Sequence, residues 1–333
     1  MAGLNVSLSF FFVIVTFCEG ARRVSKMFLP QKIYSSFAGE LASAFQLCAC
    51  CLELRMLVEI GPWGGGFGPD VVLTLLFLLF LVHGVSFDGA SANPAVSIQE
   101  FLMVESSLLT TAVKLLAHFL GMKASCILTN LYWSWELTDF HLIQNLIARD
   151  CSSSLRTSVG QGTLVEATCS FFFHLTLLLF QHSFFIYRVT AVALIVTILA
   201  YTAFGGVNHS PSFRMCENDS VTSSDVMKFS KPTGPFTSAF FNPALASAVT
   251  FHCSGNTLLD YTQVYCLGPL TGMVVAVLLY QGNIPRFFQR NLFYYQKNKY
   301  RVPKGKPYST PNGKQKQEKS TKRGKAEPSQ KME

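Results

Sequence analysis

Long apolar runs separated by short polar breaks make up most of this chain, near Leu4–Cys18, Phe37–Leu54, Val71–Val85, Leu108–Leu131, Leu164–Phe180, Val189–Phe204 and Tyr261–Tyr280. A helix crossing a bilayer core of about 30 Å needs about 20 such residues, so these runs predict membrane spans. Two further runs, AVSIQEFLM and ALASAVTF, are too short for that, and each follows the same tripeptide: Asn93-Pro94-Ala95 and Asn242-Pro243-Ala244.

An Asn-Pro pair starts a helix, because asparagine caps exposed N–H groups and proline at the first helical position gives up a donor that has no partner there. Helices of about eight to ten residues reach about 12–15 Å, half of a bilayer core, so each is predicted to dip in from one side. Non-helical backbone at that depth persists only where it is buried in protein or lines water.

Composition fits a membrane protein: half of the residues are apolar, 14% are charged and thirty are phenylalanine. The net charge of +8 belongs to the tail, since residues 286–333 hold 14 Lys/Arg against 3 Asp/Glu, leaving 13 basic against 16 acidic groups on residues 1–285. With no apolar periodicity and much Lys, Pro, Gly and Ser, the tail reads as a disordered, solvated segment. Attraction to anionic lipid or a basic sorting signal is a second reading. Nucleic acid is not an expected partner.

Arg22, Arg23 and Lys26 follow the first apolar run rather than precede it, and no small-x-small cleavage site is obvious, so it reads as a retained hydrophobic helix and not a signal peptide. ARRVSKMFLPQK is basic, whereas ELRMLVEIGPWGGGFGPD carries Glu53, Glu59 and Asp70 against Arg55. The positive-inside rule then places residues 21–34 and the C terminus in the cytosol. The organisation expected is a hydrophobic helix and basic linker over 1–34, a membrane domain over 35–285 and a cytosolic tail over 286–333.

The membrane domain repeats itself. Glu40 opens Glu-x4-Phe in its first span and Glu166 opens the same pattern in its fourth. Each half, 35–133 and 160–285, reads as a Glu-bearing span, a second span, an Asn-Pro-Ala half-helix and a third span. With three spans per half the second copy is inverted, as in transport proteins. A charged, unpaired glutamate in a membrane costs several kcal/mol, so Glu40 and Glu166 are expected to face the interior and anchor the loops through the N–H groups just before each Asn-Pro.

The two Asn-Pro-Ala half-helices, the paired Glu-x4-Phe spans, Tyr201 and Thr202 near the end of the fifth span, and Gly268-Pro269-x2-Gly272 in the last resemble the aquaporins, the major intrinsic proteins. FQLCACCLEL, LVHGVSFDGASANPAVS and GPFTSAFFNPALA are similar to their intracellular superaquaporin branch. The resemblance covers roughly residues 1–300. It implies an all-α membrane protein with the aquaporin fold: six transmembrane helices plus two re-entrant half-helices in inverted repeats, here with an extra N-terminal hydrophobic helix. It also implies a homotetramer on the endoplasmic reticulum or secretory vesicles, passing water or small neutral solutes. Opposed half-helix ends, each equivalent to about half a positive charge, would repel cations and protons, while the Asn93 and Asn242 amides donate to a passing molecule.

The chain departs from the family at the outer constriction. Water and glycerol channels alike place arginine directly after the second Asn-Pro-Ala, where Leu245 stands, and Ala239 occupies a position often lined by a larger residue. The filter is therefore expected to be more apolar and less strictly selective for water. The first motif keeps Ala95, where the superaquaporin branch usually carries another residue. Glu166 to Asn242 spans 76 positions against 53 from Glu40 to Asn93, and the 23 extra residues fall in a polar insertion over 205–234 with sequons at Asn208 and Asn218. A glycan-bearing lumenal loop and a splice or gene-model product are both compatible with it.

Cys48, Cys50 and Cys51 lie inside an apolar span without zinc-site spacing and read as buried helix residues, so no metal is expected. Cys151 and Cys216 fall in expected lumenal loops and are the candidate disulfide pair. His83, His118 and His174 lie in or beside spans, and His118 with Gly121 sits where the family has a Gln-Gly pair, which implies helix packing. No catalytic motif is present, so neither an enzyme nor a cofactor is expected. Three functions stay open: a passive channel, a poorly conducting membrane protein of this fold with a structural role, and a coupled transporter. The last finds no buried acid beyond Glu40 and Glu166 to carry ion coupling.

Overall fold

The structure, a computed structural model, describes residues 2–29, 32–60, 69–147, 155, 157–205, 237–251 and 255–282. The chain divides into a unit of Met1–Pro285 and a second of Arg286–Glu333. The basic tail, nearly all of the 205–234 insertion with Asn208 and Asn218, and Cys151 and Cys216 lie outside the described residues.

The helices are α1 (Ala2–Phe28), α2 (Lys32–Ile60), α3 (Pro69–Ser86), α4 (Pro94–Leu102), α5 (Leu108–Trp133), α6 (Asp139–Ile147), α7 (Val159–Phe180), α8 (Phe185–Gly205), α9 (Pro243–Thr250), α10 (Leu258–Thr262) and α11 (Gly268–Gln281). Among the described residues there is no strand. Six helical segments are long and apolar enough to cross a membrane: α1, most of α2, α5, α7, most of α8, and the continuous Leu258–Gln281; Asp70–Ser86 is a shorter apolar helix. The half-helices α4 and α9 have nine and eight residues.

The two halves share one packing scheme. α2 lies against α5 and α7 against α11, each pair meeting at a glycine. A Cβ on Gly121 would come 2.5 Å from the Leu41 carbonyl oxygen and 3.0 Å from the Phe45 nitrogen. A Cβ on Gly272 would run into the Ala167 carbonyl and come 2.9 Å from the Phe171 nitrogen. Leu41 and Ala167 each follow the repeat glutamate, and Phe45 and Phe171 close the two Glu-x4-Phe patterns. Close backbone contact at small residues is how membrane helices gain van der Waals packing without help from the hydrophobic effect.

Four local features differ from the expectations. The basic stretch after Cys18 is mostly helix rather than linker: α1 continues to Phe28, supported by Glu19 pairing with Arg22 at 3.2 Å and Arg23 at 2.8 Å, one turn apart. α2 runs to Ile60, so Glu53 and Arg55 are helix residues and Glu53 is fully buried, not a loop charge that can report orientation. A short helix, α6, sits between the halves, its Phe140 and His141 buried and Thr138 Oγ1 accepting the His141 N–H at 3.3 Å. The last span widens to a π-helical turn over Gln263–Leu267, ahead of Pro269, which has no N–H to continue an α-helical ladder.

Candidate functional site

Each half-helix begins as its tripeptide dictates. Asn93 is extended at φ −138°, and its Oδ1 accepts the Ala95 N–H at 3.0 Å. Asn242, at φ −134°, accepts from Ala244 at 3.0 Å and Leu245 at 3.3 Å. Pro94 and Pro243 open the helices. With Oδ1 committed to the cap, each side-chain amide points across to the other half. Asn93 Nδ2 donates to the Phe241 carbonyl at 3.2 Å, and Asn242 Nδ2 donates to the Ala92 carbonyl at 3.0 Å.

These bonds are related by the internal symmetry: each asparagine grips the residue just before its counterpart. They place two helix N termini face to face, and each amide keeps a second N–H that this bond does not use. Both motif segments are buried, with Asn93 and Asn242 each 3% exposed. The residues that supply the carbonyls are strained. Ala92 has φ 51° and Phe241 φ 35°, a region that costs a non-glycine residue about 1–2 kcal/mol.

The repeat glutamates meet those strained segments. Glu40 Oε2 accepts the Ser91 N–H at 2.9 Å and the Ala92 N–H at 3.1 Å. Glu166 accepts the Phe240 N–H on Oε1 at 3.1 Å and the Phe241 N–H on Oε2 at 2.8 Å. Beyond this common pattern the halves differ. Glu40 also meets His118 Nε2 at 2.9 Å and Lys114 Nζ at 3.2 Å, and Lys114 bridges on to Glu100 of α4 at 2.7 Å. In the second half Tyr265 donates to the Thr237 carbonyl at 3.1 Å, and Phe240 and Phe241 pack on Tyr265 and Phe173.

Leu245 and Ala239 are buried, in different apolar clusters. Leu245 belongs to the one that includes Phe240, Val249, Tyr261 and Tyr265, and Ala239 to one with Cys169, Phe173 and Leu199. The structure thus brings Asn93, Asn242, Glu40 and Glu166 into one linked centre. Lys114, His118 and Ser91 are members that sequence reading missed, although Lys114 and His118, four residues apart in an apolar span, mark a polar helix face. His174 is drawn in as well, its Nδ1 lying 2.5 Å from Gln99 Oε1 on α4. Cys48 and Cys50 are fully buried and Cys51 partly so, and no cluster of three metal-binding side chains occurs among the described residues.

The chain matches no protein-family model. It is similar over nearly its whole length to aquaporin-12 of Mus musculus, 60% identical over 92% of this chain and 95% of the mouse protein. Putative aquaporin-12A of Homo sapiens is 58% identical over 92% of this chain and 90% of its own length. Aquaporin-11 of Homo sapiens is 29% identical over 84% of this chain and 90% of its own length.

Proposed function

This chain belongs to the aquaporin family, a family of membrane channels, and we propose that it is a passive pore for water and small neutral solutes such as glycerol. The observation that carries this reading is the reciprocal pair of bonds from Asn93 to the Phe241 carbonyl and from Asn242 to the Ala92 carbonyl. It supports a reading in which both half-helix N termini face one point at the middle of the pore. There the positive ends of two helix dipoles disfavour cations and protons, while the spare amide hydrogens offer donors to a neutral, polar permeant. Passage needs no bond making and no cofactor, and the family is one of channels rather than enzymes.

Glu40 and Glu166 serve this geometry by neutralising the loop N–H groups that would otherwise stand unpaired in an apolar interior. Leu245 and Ala239 line the outer constriction. An apolar residue in place of a fixed cation leaves discrimination to the dipoles and to pore width. The pore would be carried by a homotetramer of multi-pass subunits in the endoplasmic reticulum or secretory vesicles, with the Lys-rich C terminus in the cytosol. Surface biotinylation of the untagged protein in its native cell type tests the location, and capture of most of it would overturn that part.

Stopped-flow swelling of proteoliposomes under water and glycerol gradients tests the function. Permeability well above that of empty liposomes, and lost when both asparagines are changed, is the expected result. A second reading, a poorly conducting protein of this fold with a structural role, is favoured by the burial of Leu245 at 8% exposure within an apolar cluster. Permeability equal to that of empty liposomes from correctly folded protein would select it.

A further inference from the structure

We propose that Arg22 of α1, a helix outside the two repeats, is a positioning residue for the first pore loop. The inference rests on the reading that this loop lines a pore.

Comparison of the halves carries the argument. Glu40 and Glu166 are equivalent, so Gln46 corresponds to Phe172 and Glu53 to Leu179. Phe172 and Leu179 are 46% and 38% exposed, an apolar outward stripe of the kind that meets lipid. Gln46 and Glu53 are both 0% exposed. The stripe is polar in the first half, and α1 lies along it. At one end Ser7 donates to Glu53 Oε1 at 2.6 Å, and Trp133 donates to Oε2 at 2.7 Å. At the other, Arg22, 3% exposed, donates to Gln46 Oε1 at 3.0 Å. Polar groups at these two positions would be costly against lipid, so the sequence of α2 presupposes a polar helix over it.

The arginine's hold is passed on. With its oxygen taken by Arg22, Gln46 turns its amide toward α3, where Nε2 lies 3.1 Å from His83 Nδ1 and donates to Ser86 Oγ at 3.0 Å. The reverse orientation would set the amide hydrogens against the guanidinium. Ser86 is the last residue of α3, and Phe87 stacks on His83 with ring centres 4.9 Å apart. Asp88 and Gly89 then turn the chain at φ 53° and 88°, and Lys26 of α1 pairs with Asp88. Three residues on, Ser91 and Ala92 are held by Glu40. The loop leading to Asn93 is therefore pinned from α1 at its start and from α2 at its end.

Amide hydrogen exchange of residues 86–92, measured with water permeability on the full chain in lipid, tests this. Arg22→Leu is expected to speed exchange there about tenfold, as for loss of one charge-assisted hydrogen bond, with α7 to α11 unchanged and permeability lowered. Arg22→Lys should lie between. His83→Phe combined with Ser86→Ala leaves Arg22 bonded to Gln46 and keeps a ring on Phe87 but removes both α3 partners of the Gln46 amide, so α1 stays docked while residues 86–92 loosen; it decides the matter if Arg22→Leu fails to fold. Exchange like wild type in both variants, or faster exchange throughout the chain, overturns the proposal. If the wild-type protein passes no water, yet the variants show the local change in exchange, the channel reading is overturned instead and the positioning role stands.

Discussion

Asn242 and Ala92, 150 positions apart, are joined by a 3.0 Å hydrogen bond from the side-chain amide of one to the carbonyl of the other. The bond links the two halves of the internal repeat, and Asn93 returns it to Phe241. One asparagine thus does two jobs, capping its own half-helix and bracing the loop before the other.

Replacing either asparagine with leucine should remove both functions at once. A lost cap costs about 1 kcal/mol and a stranded buried carbonyl about 1–3 kcal/mol more. Asn93→Leu and Asn242→Leu should each lower the thermal midpoint in detergent, and the double variant should lose permeability. A double variant that folds and conducts like wild type would show that these side chains are not the midplane donors.

The two loop anchors should respond differently to loss of charge. Each oxygen of Glu166 takes one backbone N–H, so Glu166→Gln turns an amide donor toward one of them and should destabilise by about 1–3 kcal/mol. In Glu40→Gln a single oxygen can keep both loop N–H groups, and the new amide turns toward the Lys114 side chain, which can move aside and retain Glu100, rather than toward the loop backbone. Exchange of the amides at 240 and 241 should therefore rise more in Glu166→Gln than exchange at 91 and 92 does in Glu40→Gln. Equal effects would mean that the asymmetry has no energetic content.

Packing of the paired spans depends on glycine where backbones touch. Gly272→Ala and Gly121→Ala push a methyl into a carbonyl on the facing helix and should each cost about 1–3 kcal/mol. Gly39→Ala meets nothing within 4 Å and should be neutral or slightly stabilising. Unfolding midpoints of the three variants in one lipid or detergent condition give the ranking, and a tolerated Gly272→Ala would show that the two helices can separate freely.

Leu245→Arg restores a positive charge and fixed donors at the proposed outer constriction. The glycerol-to-water permeability ratio should fall several-fold with water flux retained. The ratio is the quantity to compare, since loss of both fluxes reports misfolding. An unchanged ratio in a well-folded variant places the filter elsewhere.

The local signals on this chain were strong enough to be read without a structure. Asn-Pro at the head of an eight- or nine-residue apolar run leaves few options for the backbone, because the cap and the missing proline N–H act within one helical turn. The spans follow from the cost of unpaired backbone in lipid, which forces helices wherever long apolar runs occur. The repeated Glu-x4-Phe likewise paired the halves, since the same two positions meet Gly121 and Gly272.

What the sequence could not supply are the relationships between elements, because one-dimensional spacing carries no information on which faces meet. Glu53 reads as a loop charge from its neighbours, yet it is a buried acceptor for Ser7 and Trp133, which lie 46 positions before it and 80 after it. The basic run around Arg22 reads as a linker, but the tertiary structure extends α1 through it and spends the arginine on Gln46. The capping of each half-helix by Asn93 and Asn242 was legible, whereas the mutual grip of their amides on Phe241 and Ala92 was not. It exists only when two inverted halves close on one another, and no local propensity encodes that closure.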